Sequence, residues 1–176
     1  INYSIICHLL LWLCGIYFLL NSIYKVEKSI AIFTSLIATL SPLVITDLIH
    51  QFSLQSLSYL PICLILVEKF LINENKKFIF FQLLSLTIFF MLLAGNFTYQ
   101  IIAISFLFSY TTVALYLTSI SYKNFFLKFL VFCSSLIFGF TLASFQLLPT
   151  LELMQLGPRS DFSDSVYLGS LGYSGI

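Results

Sequence analysis

The sequence predicts an all-α polytopic membrane protein, and three observations predict it. Charge is too scarce to cover a soluble surface: 9% of the 176 residues are charged and 60% are hydrophobic, whereas a soluble domain carries about a quarter charged residues. Uncharged stretches long enough to cross a bilayer recur along the whole chain. The lysines fall only at alternate connections between those stretches. Mean hydropathy is +1.03, so lipid must supply part of the solvent. A net charge of +1 offers no polybasic field and excludes nucleic acid as a partner.

A spanning helix needs roughly 20 mainly apolar residues. The uncharged runs are 1–24, 29–46, 48–67, 78–122 and 129–151. Four have the length of one span, and 78–122 has the length of two. Gly95-Asn96 divides that long run, because both residues tolerate the positive φ of a turn. Six spans are therefore expected, near 4–20, 30–47, 54–70, 78–94, 99–119 and 127–148. Ser41-Pro42 is expected to kink the second and Leu60-Pro61 to bend the third. Pro149 should end the sixth and open a short amphipathic helix, with Gly157 at its C-terminal cap. None of the runs alternates apolar and polar residues as a barrel strand would.

Lys25 and Lys28 lie between spans one and two. Lys69, Lys76 and Lys77 lie between three and four, and Lys123 and Lys128 between five and six. By the positive-inside rule these connections are cytoplasmic. The chain then enters from outside, and 149–176 begins an extracytoplasmic loop after a helix bundle at 1–148. The sequence opens on Ile1 rather than Met and stops in a Gly/Ser/Tyr-rich stretch, so a piece of a longer protein is expected. Its first apolar segment lacks the basic n-region and cleavage site of a signal peptide. A plasma-membrane location follows, with the polar face of interest on the extracytoplasmic side.

That topology sorts the polar side chains. His8 falls in the outer third of span one, Asp47 and His50 at the turn after span two, and Asn96 and Gln100 at the turn after span four. Gln146 ends span six, followed by Glu152 and Arg159, the one arginine of the chain. An ionisable group deep in a bilayer costs a few kcal/mol, about 2.5–3.5 on insertion scales, and less near the interface. Individually these residues are tolerable where they fall, and their gathering on one face is the functional signal. Asp47 and His50, three apart, would sit side by side on a helical turn, yet two ligands are too few for a closed metal site. Cys7, Cys14, Cys63 and Cys133 lie in apolar runs without metal or CxxC spacing and read as small apolar residues. The tripeptides Asn2-Tyr3-Ser4 and Asn96-Phe97-Thr98 match a glycosylation sequon but hug the membrane plane, out of a glycosylating enzyme's reach. There is no Gly-rich phosphate loop, Ser-His-Asp order or zinc signature. No cofactor is implied, while a divalent metal is left open.

Four segments, in order, resemble the bacterial YfhO-like multi-pass membrane proteins, relatives of the GT-C glycosyltransferases. His8-Leu9-Leu10-Leu11 with Gly15 and Tyr17 looks like the family's first such segment. His50 with Tyr59-Leu60-Pro61 looks like its "GH…WLP", and Leu93-Ala94-Gly95-Asn96 with Gln100 like its "LAGHPQ". Gln146-Leu147-Leu148-Pro149-Thr150-Leu151-Glu152-Leu153 with Arg159 looks like "QLLPTLEL…R". Ile49 and Tyr59 replace a family glycine and tryptophan, and Asn96-Phe97 stands where His-Pro is usual.

The resemblance implies glycosyl transfer on the outer face, from a polyprenyl-phosphate-linked sugar to a cell-envelope glycopolymer or lipid, with membrane lipids around the bundle. It implies an acidic general base in an outer loop ahead of Ile1. Under it, Arg159 and His50 hold the donor's phosphate, Gln146, Asn96 and Gln100 contact sugar hydroxyls, and Glu152 orients Arg159. His8 and Asp47 complete the candidate substrate side. Two other classes compete. A transporter or flippase of a lipid-linked or anionic solute needs polar groups continuing toward the cytoplasmic ends of the spans, and a scaffold subunit needs no site at all.

Overall fold

The computed structural model describes residues 3–41, 55–72, 77–94, 97–119 and 121–156. All regular structure among them is helical. In chain order the helices are α1 (Tyr3–Phe18), α2 (Lys28–Thr39), α3 (Leu60–Ile72), α4 (Lys77–Leu93), α5 (Phe97–Thr118) and α6 (Tyr122–Leu156). Four stretches are long and apolar enough to cross a membrane: Tyr3–Ile23, Gln55–Ile72, Thr98–Thr118 and Tyr122–Pro149. The helices Lys28–Thr39 and Phe78–Leu93 are apolar but shorter. The chain divides into a unit at Ile1–Ala143 and a second at Ser144–Ile176.

Local chemistry accounts for most helix boundaries. α1 runs on through a π-helical turn, Leu19–Ile23, closed by bonds from Tyr24 N–H to the Leu19 carbonyl (3.2 Å) and from Val26 N–H to the Leu20 carbonyl (3.0 Å). Lys25 then takes the left-handed conformation, φ 57°, and turns the chain into α2. α2 stops at Thr39, with Leu40 as its C-cap, two residues short of Pro42. The residue before a proline is biased away from helix, and the remainder of the expected second span lies outside the described residues. A turn at Ser58–Tyr59 precedes α3, so the expected bend falls just ahead of Pro61, whose ring suits a helix's first turn. α4 ends at Leu93 and α5 begins at Phe97, flanking the Gly95-Asn96 split.

Pro149 departs from expectation. It does not end the helix or begin a separate amphipathic one, because α6 continues unbroken from Tyr122 to Leu156. A proline inside a helix costs about 3 kcal/mol through a lost N–H and a ring clash. Ending the helix would instead leave up to about four carbonyls and four N–H groups to be satisfied elsewhere, and in lipid each unsatisfied group costs several kcal/mol. One missing rung is the smaller loss.

In the unit at 1–143 the core is a thin seam. α5 buries Gln100, Ala103, Leu107, Thr111 and Leu115 along one stripe, while Ile101, Ile102, Phe106, Val113, Tyr116 and Leu117 face outward. The outward face is thus as apolar as the inward one, which suits hydrocarbon and not water. α2 buries Ala31, Ser35 and Thr39, small residues at i, i+4 and i+8 that permit close helix approach. Hydroxyls satisfy themselves along their own helices: Ser85 donates to the Phe81 carbonyl (2.9 Å), Thr111 to Leu107 (2.7 Å) and Thr112 to Phe108 (2.8 Å). The Ser and Thr residues of the spans are in this way compatible with a lipid surface.

Two glycines set close approaches. A Cβ on Gly15 would meet the Pro61 Cβ at 2.9 Å, and one on Gly139 would meet the Ile88 Cγ2 at 2.8 Å. α1 and α3 run parallel. Ser4 meets Gln55 and His8 meets Ser58 near their starts, whereas Tyr24 and Glu68 share the Tyr110 hydroxyl near their ends. Lys128 reaches the Leu71 carbonyl at that second end. Lys25, in a connection, and Lys69 and Lys128, in the end turns of α3 and α6, therefore gather at one end of this unit, opposite His8.

Candidate functional site

At the end away from the lysines, α1 and the start of α3 build a polar cluster around His8. Its Nδ1 lies 3.0 Å from Ser58 Oγ. Ser58 donates its single hydroxyl hydrogen to the Gln55 carbonyl, 2.8 Å away. When that hydrogen is on the carbonyl, Oγ accepts, and the matching tautomer of His8 is the one protonated at Nδ1. Neutral His8 then presents the Nε2 lone pair, an acceptor or base, on the far side of its ring. Tyr59 meets the His8 ring edge-on with centroids 5.7 Å apart, and Phe90 of α4 stacks on Tyr59 at 6.4 Å. Gln55 Nε2 donates to Ser4 Oγ at 3.1 Å. Ser58 is fully buried and His8 half-buried. One turn deeper, the Trp12 indole N–H is buried without a hydrogen-bond partner among the described residues.

Gln100 is close to this end but faces inward. It is 2% exposed, and its Nε2 donates to the Leu92 carbonyl at 2.8 Å. It caps the last turn of α4 and ties the α4–α5 hairpin together. In the unit at 144–176, Gln146 and Glu152 are both exposed on α6. Six residues separate them, so they point roughly 120° apart around the axis and do not share a face. Asp47, His50, Asn96 and Arg159 lie outside the described residues. Among the described residues, no three His, Cys, Asp or Glu side chains converge as a metal site would require.

A second polar cluster occupies the lysine-bearing end. The Tyr110 hydroxyl of α5 donates to Glu68 Oε1 of α3. Tyr24 Oη lies 2.7 Å from Tyr110 Oη, and since Tyr110 gives its hydrogen to the carboxylate, Tyr24 must be the donor of that pair. Two hydroxyls in series thus lead from half-exposed Tyr24 to a half-buried carboxylate. Sequence reasoning missed this group. Nothing in the spacing of residues 24, 68 and 110 links them. Ser58 was likewise invisible, since its partner is 50 positions away.

Comparison with known protein families, with characterised proteins and with solved structures returns no match for this chain.

Proposed function

We propose that this chain forms part of a membrane glycosyltransferase-like protein of the GT-C type, acting at the bundle end that carries His8. In that reaction an acceptor hydroxyl on an envelope polymer or lipid attacks the anomeric carbon of a polyprenyl-phosphate sugar. The bond from anomeric carbon to phosphate oxygen breaks, polyprenyl phosphate leaves with the electron pair, and the hydroxyl's proton passes to a carboxylate base. The lysine-bearing end is cytoplasmic on this reading, which puts His8 on the extracytoplasmic side. His8 Nε2 would accept a hydrogen bond from a substrate hydroxyl, and Arg159 and His50 would hold the phosphate. Gln146 and Asn96 would contact the sugar, and Glu152 would orient Arg159.

One observation carries the reading. Two of the segments that resemble the family, about 50 residues apart in sequence, meet in space. His8 touches Ser58 and Tyr59, Gly15 abuts Pro61, and Phe90, which leads into Leu93-Ala94, stacks on Tyr59.

The test uses the intact protein in membrane vesicles with radiolabelled polyprenyl-phosphate sugars. Label should enter a polymer or lipid fraction, and His8→Ala should lower that rate by roughly tenfold or more, the loss of about one transition-state hydrogen bond. Arg159→Ala should abolish it while the protein still inserts. Absence of covalent transfer by the wild type from every such donor would overturn the reading.

The Glu68–Tyr110–Tyr24 cluster favours a second reading, a transporter of an anionic or lipid-linked solute, because it places polar groups at the other end of the same helix pair. Flux of label across the bilayer without covalent transfer would select it.

A further inference from the structure

We propose that the cleft between α6 and the α3–α4 hairpin, at the lysine-bearing end, binds one anionic phospholipid, with its phosphate at Lys128 and Asn124 and an acyl chain in the adjoining groove. Two hollows meet there. A small one of about 70 Å³ is walled on α6 by Asn124, Lys128 and Val131. A larger one of about 420 Å³ is lined by Phe78, Phe81, Val131 and Ser134. Val131 borders both, so they are neighbouring parts of one depression.

The α6 wall explains why a lipid, and an anionic one, fits. Asn124, Lys128, Val131 and Ser134 follow one another at i+4, i+3 and i+3, a single face of the helix. Along that face polarity falls from an amide and an ammonium to a valine and a serine over about 15 Å of rise. Ser134 has already given its hydrogen to the Leu130 carbonyl at 2.8 Å, so it adds no donor to the groove. The opposite wall is aromatic, with Phe78 and Phe81 stacked at 6.4 Å and Phe81 against Phe138 at 6.1 Å. A polar head followed by a greasy channel is the profile of an interfacial lipid.

The charge is held in position. Lys128 is half-buried and its Nζ contacts the Leu71 carbonyl at 3.4 Å, at the C-terminal end of α3. A lysine fixed in this way is a compact point charge that attracts phosphate without requiring bidentate geometry. A purely structural lysine would also cap α3, and the two roles differ in what they predict. Capping affects stability whatever lipid is present, whereas a phosphate site discriminates between headgroups.

The experiment is native mass spectrometry of the intact, detergent-purified protein titrated with phosphatidylglycerol or phosphatidylcholine of equal chain length. Wild type should retain one phosphatidylglycerol through dilution that strips phosphatidylcholine, a preference of at least about tenfold. Lys128→Gln should bind the two lipids equally, and Lys128→Arg should restore the preference. Ser134→Phe, which fills the groove, should lose the retained lipid without lowering the thermal midpoint. Equal retention of both lipids by wild type, or an unchanged preference in Lys128→Gln, would overturn the proposal. Undiminished retention by Ser134→Phe would do so even if the lysine variant failed to insert.

Discussion

The same two parallel helices, α1 and α3, are fastened at both ends, and the two fastenings differ in kind. At the His8 end the bonds are neutral: a ring N–H to a serine hydroxyl, and that hydroxyl to a carbonyl. At the lysine-bearing end a carboxylate accepts from one tyrosine, which accepts from another. A neutral hydrogen bond contributes about 0.5–1.5 kcal/mol net, and one to a charged group about 1.5–3. The stronger fastening is thus at Glu68. The weaker one leaves His8 Nε2 without a hydrogen-bond partner among the described residues. One end is the tighter clasp of the helix pair, and the other is the looser.

The sharpest way to break that contrast is at Tyr110. Tyr110→Phe keeps the ring and removes the donor to Glu68, stranding a half-buried carboxylate that then loses about 1.5–3 kcal/mol. Unfolding in graded SDS should show a loss of that size. The Glu68→Gln, Tyr110→Phe double variant should recover part of it, because an amide is less costly than a charge to leave unpaired. If Tyr110→Phe is neutral, the lysine-bearing end is not the clasp.

Gly15 tests the junction between the two ends. Gly15→Val would push a side chain into Pro61, where even a Cβ comes within 2.9 Å. Overpacking of this kind costs typically 1–3 kcal/mol. Gly15→Ala should show the lower part of that range, and equal, negligible effects of both would mean that α1 and α3 are free to separate there.

Helices were legible in the sequence because run length in an uncharged chain is set by bilayer thickness. The split at Gly95-Asn96 and the bend beside Pro61 were legible for the same local reason, backbone chemistry. Pro149 was misjudged because helix-breaking rules are calibrated in water, where a broken helix finds new partners at once. Of the candidate site, His8 was legible as a histidine at an unusual depth. Its tautomer was not, since that depends on Ser58 and on where Ser58 sends its hydrogen. Gln100 looked like a loop amide and is a hairpin staple, and sequence gives no sign of which carbonyl an amide will find. Glu68 was not singled out, since its partners Tyr110 and, through it, Tyr24 lie more than 40 positions away in sequence.

A smaller effect than at Tyr110 is expected at Ser58, and it bears most directly on function. Ser58→Ala removes an acceptor from His8 and a donor from the Gln55 carbonyl, two neutral bonds, so a stability loss of about 1–3 kcal/mol follows, against a charged bond and a neutral one given up at Tyr110. Without Ser58 nothing fixes the His8 proton on Nδ1, and the ring can take the other tautomer, in which Nε2 is a donor. If His8 serves as an acceptor toward a substrate hydroxyl, Ser58→Ala should therefore depress kcat more than its stability cost suggests, while His8→Ala adds little further loss in the double variant. Histidine nitrogen NMR would report the tautomer directly. A ring that keeps its proton on Nδ1 without Ser58 would show that the hydroxyl does not set it, and the His8 end would then be only a weaker version of the clasp at Glu68.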